Sequence, residues 1–255
     1  MIEKTAATVL RYAPSGETSR VVTWLTPQQG RVATLIKGAL RPKSWFLGQY
    51  DLFYTCELLY YRRPDRKLFI AKECSPLKLR PALRHDWLAC GVASYWADLA
   101  ARISPAQAPQ RFLYRWLNEG LDELDRQGVG PGLVFWQELR LLKQLGLAPR
   151  LEDCAGCGAT LRVPAGPFRF SIPRGGVLCA GCARQDPQPA HPLPPDVLAM
   201  LRNWQRAADP MAVRRIHCDV RQTTVIERIL GEFLRYHLDL PLISRELALQ
   251  RLTGE

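Results

Sequence analysis

Two pairs of cysteines carry the clearest chemistry in this sequence. Cys154-Ala-Gly-Cys157 and Cys179-Ala-Gly-Cys182 repeat one four-residue pattern, with 21 residues between them. A CxxC turn brings two sulfurs toward one point. Two such turns facing each other offer four thiolates in a tetrahedral array, which zinc accepts at about 2.3 Å. The glycine in each pair is expected to permit the backbone angles of its turn. Four thiolates leave no open position for water or substrate. The expected role of one Zn2+ held by Cys154, Cys157, Cys179 and Cys182 is therefore structural, binding together a segment with little apolar core. A redox dithiol is the alternative, but such a CxxC usually occurs once, at a helix start. Cys56, Cys74, Cys90 and Cys218 show no pairing pattern and read as small buried hydrophobes. His191, nine residues past Cys182, could replace a ligand but reads as a surface histidine.

The second chemistry is cationic. The chain carries 35 Lys and Arg against 24 Asp and Glu, a net charge of +11. From Met1 to Lys78 there are 13 basic and 6 acidic residues, so most of the excess lies in the first third. A local excess of this kind points to a polyanion-binding face. Lys37, Arg41 and Lys43 fall in one turn region, and Arg62, Arg63, Arg66 and Lys67 in a second, while Arg11, Arg20 and Arg31 add charge on the same segment. The guanidinium fork suits phosphate because it can donate two parallel hydrogen bonds. Trp45, Phe46, Tyr50, Phe53 and Tyr54 supply aromatic faces on which bases could stack, although aromatics at alternating spacing are more often core. The sequence has no GxxxxGK[ST] phosphate loop, no HExxH and no GxSxG. Asp122, Glu123 and Asp125 read as a solvated helix face, without the second acidic cluster a metal-dependent nuclease would need.

These groups need elements to position them. Ala6–Tyr12, Arg20–Leu25, Gly30–Ile36, Leu52–Tyr61 and Leu68–Lys72 read as five strands in under 80 residues. Five strands with little helix suggest a closed barrel, either an OB-fold or an SH3-like one. Apolar residues then recur at three- and four-residue spacing over Asp86–Arg102, Ala108–Arg126 and Pro131–Leu145, with Gly146 as a helix stop. Asp153–Arg184 holds the cysteines among scattered Gly and Pro, and a proline-rich connector, Gln185–Pro195, follows. Helix signals resume at Asp196–Ala207, Thr223–Leu238 and Leu242–Arg251. The N-terminus lacks the apolar core of a signal peptide, and no apolar run reaches the roughly 18 residues of a membrane span. A cytoplasmic protein with no membrane partner is expected, with its thiols reduced.

Several stretches, in order, resemble the RecO family of bacterial recombination mediators. They are Gly16-Glu17-Thr18-Ser19, Gly30-Arg31-Val32, Lys37-Gly38-Ala39, Arg41-Pro42-Lys43-Ser44, Glu138-Leu139, Leu145-Gly146, Cys154-Ala155-Gly156, Pro241-Leu242 and Ser244-Arg245-Glu246-Leu247. The resemblance implies an α+β multi-domain chain: an OB-fold β-barrel at 1–79, an α-helical domain at 80–150 and 188–255, and an inserted four-cysteine zinc module at 151–187. It implies binding of single- and double-stranded DNA, annealing of complementary strands, and nucleoid association. It also implies partnership with RecR and the acidic C-terminal tail of single-strand-binding protein, leading indirectly to RecA. The chain departs from the family at Leu40 and Ile243, where many or some members carry a basic residue; each change removes one ionic contact. A zinc-ribbon module for RNA or transcription is the alternative reading, and RNA preference over DNA would favour it. A nucleic-acid enzyme is a more distant one, which metal-dependent cleavage of DNA would favour.

Overall fold

A computed structural model of the chain describes residues 1–63, 65–163 and 166–250. Pro64, inside the second basic turn, and Arg251, at the end of the last expected helix, lie outside the described residues. The chain divides into two compact units, Met1–Gly128 and Val129–Glu255.

The first unit begins with five strands: β1 (Ile2–Ser15), β2 (Ser19–Thr26), β3 (Gly30–Ile36), β4 (Thr55–Tyr61) and β5 (Leu68–Lys78). They close into a barrel in the order β1-β2-β3-β5-β4, with β4 returning to β1. The β3–β5 pairing is parallel and the others are antiparallel. Strand counting cannot separate an OB-fold from an SH3-like barrel; this order and its one parallel pair select the OB-fold. β1 serves two partners. Thr8 faces both Leu25 and Thr55, and the ladder to β2 shifts register between Val9 and Arg11, the kind of irregularity that bends a strand. Alternate residues fill the interior. In β3, Val32, Thr34 and Ile36 are buried while Arg31, Ala33 and Leu35 are half-buried. Trp24 is fully buried, and its indole N–H donates to Thr34 Oγ1 at 2.8 Å.

The expected strand over Leu52–Tyr61 starts late. Phe53 adopts φ 66°, outside the strand region, so the regular ladder begins at Thr55. Tyr50, Phe53 and Tyr54 are buried (7%, 4% and 7% exposed), which removes them as stacking faces.

Three helices complete this unit: α1 (Ala82–His85), α2 (Trp87–Ile103) and α3 (Arg111–Gln127). Asp86 caps α2 by accepting from the N–H groups of Leu88 and Ala89. Two largely buried fastenings tie the helices to the barrel, and a more exposed ion pair between Arg84 of α1 and Asp51 adds a further contact. At one, Arg80 is buried and left-handed (φ 51°). It donates to the Phe53 carbonyl, Thr55 Oγ1, Asn118 Oδ1 and Asp122 Oδ1 at 2.5, 3.0, 2.8 and 2.7 Å. Asn118 Oδ1 also accepts from the Thr8 and Thr55 hydroxyls. At the other, the β2–β3 turn meets the segment after α2. Arg31 N donates to Pro105 O and Arg31 Nη1 to Ala101 O. A Cβ at Gly30 would stand 2.6 Å from the carbonyls of Pro105 and Ala108, so the turn admits only glycine. Asp122, Glu123 and Asp125 are not a solvated face. Asp122 holds Arg80 and Lys78, Asp125 accepts from Ala82 N, and Glu123 is buried beside Arg126. Replacing Arg80 with alanine strips four acceptors of one donor group. A loss of about 3 kcal/mol in denaturant unfolding is expected, with Lys at 80 recovering only part of it.

The second unit contains α4 (Pro131–Gln144), β6 (Phe168–Ser171), β7 (Gly176–Leu178), α5 (Ala180–Gln185), β8 (His191–Leu193), α6 (Pro195–Arg206), α7 (Pro210–Arg214), α8 (Val220–Leu238) and α9 (Ile243–Leu249). Gly146 ends α4 as expected, with φ 74° and Leu147 N donating to Leu142 O. Asp219 and Gln222 form a capping box at the start of α8. The three short strands make an antiparallel sheet in the order β7-β6-β8, and Phe170 of β6 meets Phe233 of α8 edge to face at 5.7 Å. Inside this unit Arg245 of α9 and Glu138 of α4 form a buried ion pair with bonds of 2.7 and 3.2 Å. Among the described residues, no helix is long and apolar enough to cross a membrane.

Candidate metal centre and nucleic-acid interface

The first CxxC sits on a knuckle after Leu151. Cys154 N donates to Ala159 O, Gly158 N donates back to Cys154 O, and Ala155 N donates to Val177 O in β7. The second CxxC begins where β7 ends. Cys179 is the N-terminal flank of α5, which carries Cys182. The β6–β7 hairpin and the knuckle thus bring the two turns together. The four sulfurs lie within 4.8 Å of one another, and those of Cys157 and Cys179 are 4.0 Å apart. Thiolates at about 2.3 Å around one tetrahedral ion stand about 3.8 Å apart, so the cluster has the dimensions of a four-thiolate metal site.

The electrostatics agree. Burial raises the Cys154 pKa, but backbone N–H groups of Cys157, Cys179 and Gly156 outweigh it and bring the thiol down to about 6. The Gly156 and Cys179 N–H groups reach its sulfur at 3.4 and 3.3 Å. Hydrogen bonding with the other three cysteines, Cys157 foremost, pushes the Cys182 thiol up to about 12. Four sulfurs this close cannot all ionise unless a cation sits among them.

The glycines play different parts from those expected. Neither Gly156 nor Gly181 has positive φ; Gly158, just outside the pair, does (φ 75°). Gly156 is required by space, since a Cβ there would stand 2.9 Å from Cys182 Sγ. Gly181 meets only Cys179 Sγ at 3.9 Å, ordinary contact. His191 is not part of the cluster and pairs with Glu232 at 2.9 Å. Of the other cysteines, Cys56 and Cys74 are buried in the barrel, whereas Cys90 and Cys218 are only half-buried. Sequence reasoning missed Arg202, whose guanidinium donates to the carbonyls of Leu151, Glu152 and Leu161 and holds both sides of the knuckle. A lone arginine on an amphipathic helix gives no signal of that role.

The ten basic residues expected to meet a polyanion divide by environment. Arg31 is committed to the Ala101 carbonyl and Arg62 to Glu3 at 2.8 Å. Arg20 is half-buried, with its guanidinium 4.7 Å above the Tyr12 ring. Arg11, Lys37, Arg41, Lys43, Arg63, Arg66 and Lys67 are exposed and form no ion pair among the described residues. Lys37, Arg41 and Lys43 lie on the connection after β3, which Leu40 N ties to Thr18 O in the β1–β2 turn. Strand register links the other cations. Arg11 pairs with Thr23, Thr23 with Ala33, and Ala33 with Leu68, next to Lys67. Arg11, Arg31 and Lys67 line one cleft of about 430 Å³. Arg62, Arg63 and Arg66 line another of about 360 Å³ with Met1, Tyr61 and Leu68. Around the cysteine cluster, Arg162 and Arg184 are also exposed, while Arg169 is bonded to Ala190 O and Arg174 to Asp186.

The family descriptions "Recombination protein O N terminal" and "Recombination protein O C terminal" match residues 1–80 and 84–246. Among curated relatives, the DNA repair protein RecO of Anaeromyxobacter sp. (strain K) is 33% identical over 99% of this chain and 96% of its own length. That of Desulforudis audaxviator (strain MP104C) is 32% identical over 98% and 97%. That of Exiguobacterium sibiricum is 34% identical over 73% and 72%.

Proposed function

The chain belongs to the RecO family, and on that premise we propose that it is a DNA-binding recombination mediator working without a covalent step. In this reading it binds single- and double-stranded DNA and anneals complementary strands. With RecR it helps RecA onto single strands covered by single-strand-binding protein. The observation that carries the DNA-binding reading is the set of seven exposed barrel cations without an internal acidic partner among the described residues. Such cations neutralise phosphates and displace counterions, which gives tight, salt-sensitive binding with little base reading. Holding two strands at once lowers their mutual repulsion, and annealing follows from proximity. RecR and the acidic C-terminal tail of single-strand-binding protein are the proposed protein partners, the tail docking in an apolar groove of the helical part. The site of action is the cytoplasm, at the nucleoid. The barrel, the helical segments at 80–150 and 188–255, and the module at 151–187 are proposed as separate functional modules.

Cys154, Cys157, Cys179 and Cys182 are the proposed ligands of one structural Zn2+. When bound, the ion supplies a cross-link between the knuckle and the start of α5. The surrounding residues do the rest: Gly156 leaves room for Cys182, the Gly156 and Cys179 N–H groups stabilise the Cys154 sulfur, and Arg202 fastens the knuckle's backbone.

Anisotropy of a labelled single strand across a salt series tests the DNA reading, comparing the intact protein with Arg41→Glu/Lys43→Glu. Loss of two phosphate contacts should weaken binding and make the slope of log K against log salt shallower by about 1.4. Unchanged binding would move the site off this loop, and no DNA binding at low salt would overturn the mediator reading.

A further inference from the structure

The connection after β3 exposes an aromatic side chain that the barrel does not use. Trp45 is 95% exposed, against 0% for Trp24 in the same unit. Its exposure is built in. Successive turns tie Arg41 N to Gly38 O, Ser44 N to Arg41 O, Leu47 N to Ser44 O and Gln49 N to Phe46 O, at 3.0 to 3.2 Å. Phe46 packs against the barrel core and its N–H donates to Ser44 Oγ. The loop is therefore pinned by the residue beside Trp45 while the indole points into solvent. Arg41 and Lys43, both exposed, stand four and two residues away.

An indole held outward on the same loop as two free cations has a definite complement. The cations call for an anionic backbone, and the flat apolar face calls for a flat partner that repeats along that backbone. A single nucleic-acid strand offers both, because its bases are unstacked and every base has a π-face. A duplex offers the same phosphates, but its bases stack on one another and show only their edges in the grooves. We propose that Trp45 is a stacking residue that makes this loop selective for unpaired bases. The inference rests on the DNA-binding reading above and deepens it. Phosphate contacts by Arg41 and Lys43 serve strand and duplex alike, and Trp45 adds affinity for the strand alone. Pairing with a complementary strand withdraws the base from Trp45, so an annealed product is held less tightly than its precursor.

The test uses the full chain with three probes: a labelled thymidine oligomer, an abasic oligomer of the same length, and a duplex of that length. Trp45→Ala removes a solvent-exposed side chain, and its fold is checked by unchanged thermal unfolding. The expected result is a roughly 5- to 150-fold weaker affinity for the thymidine oligomer, the range for loss of one stacked base. The salt slope should stay the same, as no charge changes, and affinities for duplex and abasic strand should be unaltered. Trp45→Phe should restore most of the loss. Equal weakening on all three probes, or no change on any of them, would overturn the stacking role while leaving DNA binding by the cations standing. Failure of the unaltered protein to bind any probe at low salt would overturn the DNA-binding reading itself, and the stacking role with it.

Discussion

Cys154→Ser is expected to abolish metal retention and to unfold the segment from Leu151 to Leu193. Among its described residues the segment has three strands of three or four residues and one six-residue helix, too little to stand without a cross-link. Apparent zinc-binding free energies of structural four-ligand sites are about 10–16 kcal/mol at neutral pH, far more than a short sheet can replace. Metal content by elemental analysis should fall from about one ion per chain to near zero. Proteolysis should then cut between Leu151 and Leu193, and a strong chelator should reproduce both effects on the unaltered protein. Cys90→Ser, outside the cluster, is the control and should keep its metal. A Cys154→Ser protein that retained both metal and protease resistance would sink the four-thiolate assignment.

Arg245→Ala should be the most damaging single change outside the cysteines. It leaves the fully buried Glu138 carboxylate without this counter-charge, and breaking one side of a buried pair costs about 3–5 kcal/mol. The surroundings are shaped for the guanidinium. A Cβ on Gly231 of α8 would stand 2.5 Å from Arg245 Nη1, so Gly231→Ala should destabilise by a related route. The double change Glu138→Leu/Arg245→Met should be far milder than either charge removed alone, because it retires the desolvation cost with the pair. Denaturant midpoints of the four proteins decide the matter. Additive losses in the double variant would show that the pair is not the coupling element.

This pair also shows where the sequence was readable and where it was not. Glu138-Leu139 and Ser244-Arg245-Glu246-Leu247 stood out as motifs but gave no hint that Glu138 and Arg245 meet, since 107 residues separate them. Local pattern carried further. β3 spans Gly30–Ile36 as its β-branched alternation predicts, and Gly146 closes α4. The cysteine spacing identified the members of the cluster because CxxC chemistry is itself local. β6, β7 and β8 escaped because three or four residues hold no measurable period. α1, α5 and α7 escaped for the same reason. Leu52–Tyr54 looked like strand because aromatic runs favour strands, yet Val9 captures Phe53 N and Tyr54 O and turns the chain there. The cationic residues were legible as a set but not as individuals. Only tertiary contacts separate Arg31 and Arg62, each committed to a partner within the chain, from the seven that face solvent without one.

The two fastenings of the first unit have a mechanical consequence. Arg80 grips the barrel from one place and the Gly30 turn is locked against Pro105 and Ala108 at another. A nucleic-acid strand pulled taut across the barrel would load both attachments together. Arg84 paired to Asp51 is a third attachment, so loading one attachment loads the others as well. The unit should therefore rupture in one step under tension and behave as a rigid handle until then.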